Sequence, residues 1–171
     1  MKKLLSVSLI VLLSACASQT TQPEVDDLNS GKNNVGSGDT YGSGSGRPGY
    51  FNQLQDPNSI LSQRSIYYDF DSYSVKSEYR ELVLAHAKLL RDNPDASVIL
   101  QGNTDERGSR EYNLALGQRR ADSVKSMMTL SGASDNQIEA VSFGEEKLRA
   151  TGSGESAWSQ NRRTDIVYRG E

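Results

Sequence analysis

Residues 96–130 read ASVILQGNTDERGSREYNLALGQRRADSVKSMMTL. Ala96 to Gly102 gathers aliphatic and β-branched residues into a short run, which predicts a strand. A turn follows through Asp105 to Gly108, and Ser109 carries the hydroxyl that caps a helix start. From Arg110 onward Leu114, Gly117, Ala121, Val124 and Met128 recur at helical spacing, so a helix is expected to about Leu130 with those five residues on its buried stripe. Gly132 stands just past the end, where a helix needs a residue free to take positive φ.

The same reading extends to both sides. Ser65 to Phe70 is aromatic and β-branched and reads as a strand. Ser77 to Asn93 carries Tyr79, Leu82, Val83, His86, Leu89 and Leu90 at helical spacing, and Pro94 stops it. Two further strands are expected at Glu139 to Phe143 and Thr164 to Tyr168. Between them, Glu145 to Arg163 is Gly-rich, a loop with a short helix around Ser156 to Asn161. Strands alternating with amphipathic helices predict an α+β domain over residues 51–171, a βαβαβ core with helices covering one face of the sheet. Its size fits one domain.

The chain begins MKKLLSVSLIVLLSAC. Lys2 and Lys3 precede an apolar run from Leu4 to Leu13, the layout of a secretory signal over residues 1–15. At about ten residues the run is too short to span a bilayer as a mature helix. Leu13-Ser14-Ala15-Cys16 is similar to a bacterial lipobox, and Cys16 is the single cysteine of the chain. An exported chain with one thiol builds no internal disulfide, and acylation gives that thiol a purpose. Ala17 follows where aspartate would retain a lipoprotein in the inner membrane of enteric bacteria, so the expected address is the periplasmic face of the outer membrane.

Residues 17–49 contain almost no large apolar side chain and seven glycines between Gly31 and Gly49. Such composition cannot bury enough surface to offset its ordering entropy. Residues 16–50 are therefore expected to be a lipidated cysteine with a flexible tether, of root-mean-square reach roughly 30 Å and about 110 Å when straight. Loss of Lys2 and Lys3 takes the 19 basic residues to 17 against 22 acidic ones, a net charge of −5. That balance excludes a broad basic face for nucleic acid.

Within the long helix, Asn113, Leu116 and Arg120 fall at i, i+3 and i+7, on a face offset from the expected core stripe and turned toward the loop of Asp105. A carboxylate and a guanidinium set apart in this way form a receptor for a zwitterion. The acid accepts an ammonium, and the guanidinium holds a carboxylate by two parallel hydrogen bonds. Backbone N–H groups at the Ser109 helix start add donors for the same anion. Because Arg120 is expected off the buried stripe and Asp105 in a surface turn, replacing either is expected to change stability far less than binding.

The run GNTDERGSREYNLALGQRRADSVK (residues 102–125), with SFGEEK at 142–147 and NRR at 161–163, resembles the OmpA-like peptidoglycan-binding domain family over about residues 60–169. The resemblance implies a small mixed sheet with helices on one face. It implies noncovalent binding of the meso-diaminopimelate of peptidoglycan stem peptides, with no cofactor and no metal. On the matching positions, Asp105 and Arg120 hold the zwitterionic head, Phe70 and Asp71 approach it from the loop after the first strand, and Asn113, Leu116 and Arg162 line the same site. For the lipid-anchored members it implies membership of the Tol-Pal system in envelope integrity and cell division, with TolB and TolA as protein partners. The chain departs from the family at Leu148, where many relatives have proline.

Other chemistries are weighed from the residues. Asp69, Asp71 and Tyr73 imitate the start of a calcium loop, but Ser74 stands where such a loop requires glycine. His86 is the chain's one histidine; its helical neighbours four residues away are Leu82 and Leu90, so no metal pair forms, and no nucleophile triad is available. Arg119 and Arg163 read as partners in ion pairs rather than ligand contacts. The enzymatic alternative is a periplasmic peptidoglycan hydrolase using Asp105 and Glu106 as paired carboxylates.

Overall fold

The computed structural model describes residues 49–170. The signal segment, Cys16 and the tether as far as residue 48 lie outside the described residues, as does Glu171. Among the described residues no helix is long and apolar enough to cross a membrane.

The chain enters through a short helix, α1 (Tyr50–Gln55), and a 3-10 turn at Ile60–Ser62. It continues through β1 (Ser65–Tyr67), α2 (Arg80–Asp92), β2 (Val98–Asn103), α3 (Arg110–Leu130), β3 (Ile138–Gly144), α4 (Glu155–Asn161) and β4 (Arg163–Tyr168). The four strands form one mixed sheet in the order β1-β4-β2-β3. β4 runs antiparallel to both β1 and β2, whereas β2 and β3 are parallel. A parallel pair needs a crossover rather than a hairpin, and α3 supplies it.

Side chains alternate across the sheet as strand geometry requires. Ile66, Val98, Leu100, Ile166 and Tyr168 face a single core, which they share with Leu82, Val83 and Leu90 of α2 and with Ala121, Val124 and Met128 of α3. His86 sits inside that core. Its Nε2 lies 2.9 Å from the Gln63 carbonyl, which can only accept, so Nε2 carries the proton and Nδ1 accepts from the Tyr168 hydroxyl at 2.8 Å. Burial lowers its pKa from 6.5 to about 4.

Gly102 of β2 and Gly117 of α3 let helix and sheet meet backbone to backbone. A Cβ on Gly102 would stand 1.9 Å from the Gly117 carbonyl oxygen. This approach sets the rotation of α3, and it corrects the expected stripe. The buried side is Asn113, Leu116, Gly117, Arg120, Ala121, Val124 and Met128, while Leu114 is turned outward and 52% exposed. Arg120 therefore belongs to the buried side and is wholly enclosed.

Two other boundaries shift. β1 ends at Tyr67, and Phe70, read from the sequence as strand, stands in the turn that follows. The first turn of the expected Ser77 helix is a separate 3-10 turn, Ser77–Tyr79. The 145–157 loop is held from α4: Asn161 Oδ1 accepts from the Arg149 and Ala150 amides at 2.8 and 3.0 Å, and its Nδ2 donates to the Ala150 carbonyl. Arg163 pairs with Asp165 on its own strand at 2.9 Å. Arg119 rests over the Tyr73 ring.

Candidate functional site

β2 ends in an irregularity. Its register against β3 shifts between Gly102 and Asn103, and the Thr104 amide then donates to the Gly144 carbonyl at 2.8 Å. The chain leaves the sheet at Asp105, turns at Gly108, whose φ is +111°, and enters α3 under the Ser109 cap, whose hydroxyl accepts from the Tyr112 amide at 3.2 Å. A side chain at Gly108 would be strained at that φ.

Asp105 is 4% exposed, not a surface residue. Its Oδ1 accepts from the Arg107 amide and Nε, each at 3.1 Å. Its Oδ2 accepts from Arg107 Nη2 at 2.7 Å and Arg162 Nη1 at 3.3 Å. Burial alone would raise its pKa, but the hydrogen bonds from Arg107 and Arg162 outweigh burial and hold it below the ordinary carboxylate value. Asp105 is thus an ionised group with four N–H donors already around it.

Arg120 reaches the site from the buried side of α3. Its Nε donates to the Ser72 carbonyl at 2.8 Å, Nη1 to the Asn103 carbonyl at 2.7 Å, and Nη2 to the Asp69 carbonyl at 3.4 Å. The guanidinium also lies 5.0 Å from the Tyr68 ring centroid, and the Tyr68 hydroxyl donates to the Arg120 carbonyl. Burial lowers its pKa to about 10, so it stays charged at neutral pH. One arginine therefore ties the loop after β1 to the end of β2. The premise that Arg120 lies off the buried stripe is overturned, and its removal, which strands buried carbonyls and opens a cavity, should lower stability.

The loop after β1 brings Phe70 and Asp71. Asp71 has φ +54°, a left-handed conformation that aspartate tolerates better than most residues, and its carboxylate accepts from the Tyr112 hydroxyl. Phe70 is 61% exposed. From the other side, Arg162 donates through Nε to the Tyr68 carbonyl at 3.1 Å and pairs with Glu155 of α4. Asn113 donates to Glu145.

Phe70, Asp71, Asp105, Asn113, Leu116, Arg120 and Arg162 all line one cavity of about 250 Å³. Thr104, Arg107, Gly108 and Tyr112 complete its wall. Sequence reasoning passed over these four. Arg107 carried a signal, since a residue two places after an aspartate in a turn is where that side chain meets the backbone. The other three belong to the same strand–turn–helix segment as Asp105 and Asn113. A cavity below the usual size of drug-like sites suits a ligand of amino-acid dimensions. Among the described residues no group of three or more His, Cys, Asp or Glu is arranged to hold a metal ion.

Comparison with known proteins agrees with this architecture. Residues 67–162 match the OmpA family. The chain is 39% identical over 174 residues to the peptidoglycan-associated lipoprotein of Pasteurella multocida, covering 98% of this chain and 100% of that one. It is 46% identical over 110 residues to the peptidoglycan-associated lipoprotein of Haemophilus influenzae, covering 63% of this chain and 72% of that one. The crystal structure of the peptidoglycan-associated lipoprotein from Burkholderia pseudomallei superposes with a TM-score of 0.67 at 54% identity, over 68% of this chain and 99% of that one. The C-terminal domain of Helicobacter pylori MotB, 18% identical with a TM-score of 0.58 over 64% of this chain and 86% of that one, shares the fold. The chain belongs to the OmpA family and, within it, to the peptidoglycan-associated lipoproteins.

Proposed function

We propose that this protein ties the outer membrane to peptidoglycan noncovalently: Cys16 carries the lipid at the periplasmic face, residues 16–50 form the tether, and residues 51–171 grip the wall. The observation that carries the reading is the convergence of seven residues, drawn from the β1 loop, the β2 turn, α3 and the link between α4 and β4, on one cavity with both signs of charge. The ligand is the zwitterionic head of meso-diaminopimelate. Its ammonium is held by the charged carboxylate of Asp105, and its carboxylate takes the guanidinium donors of Arg120 that the loop carbonyls leave open. Leu116 and Phe70 supply apolar wall for the methylene chain. On this reading the protein works in the Tol-Pal system in envelope integrity and division, with TolB and TolA as partners.

Binding without catalysis is favoured by the state of Asp105. A general acid for glycoside hydrolysis has a raised pKa, whereas hydrogen bonds from Arg107 and Arg162 hold this carboxylate ionised. Purified protein incubated with diaminopimelate-type and with lysine-type sacculi tests the reading. Co-sedimentation with the first and not the second is expected, because the lysine stem lacks the carboxylate that Arg120 receives. Equal sedimentation with both, or release of soluble muropeptides, overturns it.

A further inference from the structure

Arg107 stands in the turn between β2 and α3. Its guanidinium lies between two aromatic rings, 4.1 Å from the Phe70 centroid and 3.9 Å from that of Trp158, the chain's single tryptophan. Trp158 is itself held, its Nε1 donating to Glu106 at 3.2 Å, and Glu106 also accepts from Ser153 at 2.8 Å. Aromatic contacts at these distances leave a guanidinium chiefly its edges for hydrogen bonding. The Nε–Nη2 edge is engaged by Asp105, through Nε at 3.1 Å and Nη2 at 2.7 Å. The Nη1–Nη2 edge meets no acceptor among the described residues.

The other guanidinia of the site are more fully used. Arg120 donates from all three nitrogens to backbone carbonyls. Arg162 donates to the Tyr68 carbonyl, to Asp105 and to both oxygens of Glu155. Arg107 therefore has the most open fork in the cavity wall, and it is already immobilised, so binding there loses little side-chain entropy. An immobilised guanidinium with a free two-nitrogen edge is a receptor for a carboxylate.

We infer that Arg107, clamped between Phe70 and Trp158, holds a second carboxylate of the ligand, that of the D-glutamate preceding diaminopimelate in the stem. This rests on the proposed function. In the stem that glutamate is linked through its side-chain carboxyl, which leaves its α-carboxylate free one residue from the head that Asp105 and Arg120 take. The site then reads two successive residues, and amidation of the glutamate to isoglutamine weakens recognition.

The test is a titration of wild type and Arg107→Gln with three tripeptides: L-Ala-γ-D-Glu-meso-diaminopimelate, its D-isoglutamine form, and a form amidated on the diaminopimelate head. Wild type is expected to bind the isoglutamine peptide roughly tenfold more weakly than the first, the scale of one charge-assisted hydrogen-bonded contact. Arg107→Gln is expected to lose a similar factor on the first peptide and then to be indifferent to isoglutamine, while head amidation still weakens it. Wild type that binds the first two peptides equally overturns the inference without any variant being needed. A uniform loss by Arg107→Gln on all three peptides also overturns it, showing that Arg107 only supports the Asp105 turn. Coupling of Arg107→Gln to head amidation instead overturns the glutamate assignment. Wild type that binds none of the peptides removes the proposed function, and this inference with it.

Discussion

At the scale of single residues the site is a set of charges whose partners decide what each can do. On the proposed reading Asp105 and Arg120 hold the two ends of one zwitterion, so each should lose most of its value for binding when the other half is left unpaired. Asp105→Ala or Arg120→Ala should each cost about 2–5 kcal/mol of affinity for a diaminopimelate stem peptide, and the double variant should be little worse than either, as measured by calorimetric titration. The two singles should differ in stability. Arg120 is fully buried and satisfies carbonyls of Asp69, Ser72 and Asn103, so Arg120→Ala should lower the urea midpoint by an amount equivalent to roughly 3 kcal/mol. Asp105→Asn keeps the shape and some of the hydrogen bonds, which makes it the cleaner probe of charge. An unchanged affinity in folded Asp105→Asn would exclude the carboxylate from recognition.

At the scale of elements, two contacts govern how the helices sit on the sheet. A Cβ on Gly102 would meet the Gly117 carbonyl carbon at 2.6 Å and its oxygen at 1.9 Å, neither of which can rotate away. A Cβ on Gly117 would meet the Ser142 hydroxyl at 2.3 Å, which can rotate, and the Gly102 carbonyl oxygen at 2.9 Å. Gly102→Ala should therefore destabilise more than Gly117→Ala, the milder case costing about 1–3 kcal/mol by overpacking. Equal denaturation midpoints would contradict this geometry. α2 is tied to β4 by His86 and Tyr168. Because the folded pKa of His86 is about 4 against 6.5 in the free side chain, its contribution is intact above pH 6.5 and is lost as pH falls toward 4. Over that window the protein should lose about 3 kcal/mol of stability through this group, at up to about 1.4 kcal/mol per pH unit. Urea unfolding of wild type and His86→Gln at pH 7, 5.5 and 4.5 measures it, with the variant expected to show the shallower slope.

At the scale of the whole molecule the proposed function needs one chain to hold membrane and wall together, and the gain from two linked sites depends on whether the linker can span them. Replacing residues 24–46 with unrelated Gly/Ser sequence of equal length should preserve envelope integrity, and deleting most of them should produce leakage of periplasmic enzyme. Leakage in the equal-length replacement would assign specific contacts to the segment. Cys16→Ser should leave an unacylated chain that no longer fractionates with membranes, since no other thiol exists to modify. Labelled palmitate on that variant would end the lipidation reading.

Local order decided most of what was legible in advance. The strand, turn and helix of residues 96–130 follow from a β-branched run, a Ser109 cap and helical spacing, all properties of neighbours along the chain. That Asp105 and Arg120 line one cavity was legible because both stand in one strand–turn–helix unit. Tertiary structure alone decided the rest. Sequence spacing put Leu114 on the buried stripe and Arg120 off it; the close approach of Gly102 and Gly117 rotates α3 so that the reverse holds. Arg120 finds its acceptors 17 to 51 residues away, and His86 meets Tyr168 across 82. The aromatic clamp on Arg107 joins Phe70 from the β1 loop to Trp158 of α4. A periodic pattern records which side of a helix is apolar, but its rotation against the sheet, and the carbonyls that rotation brings to a buried guanidinium, exist only once distant segments close on one another.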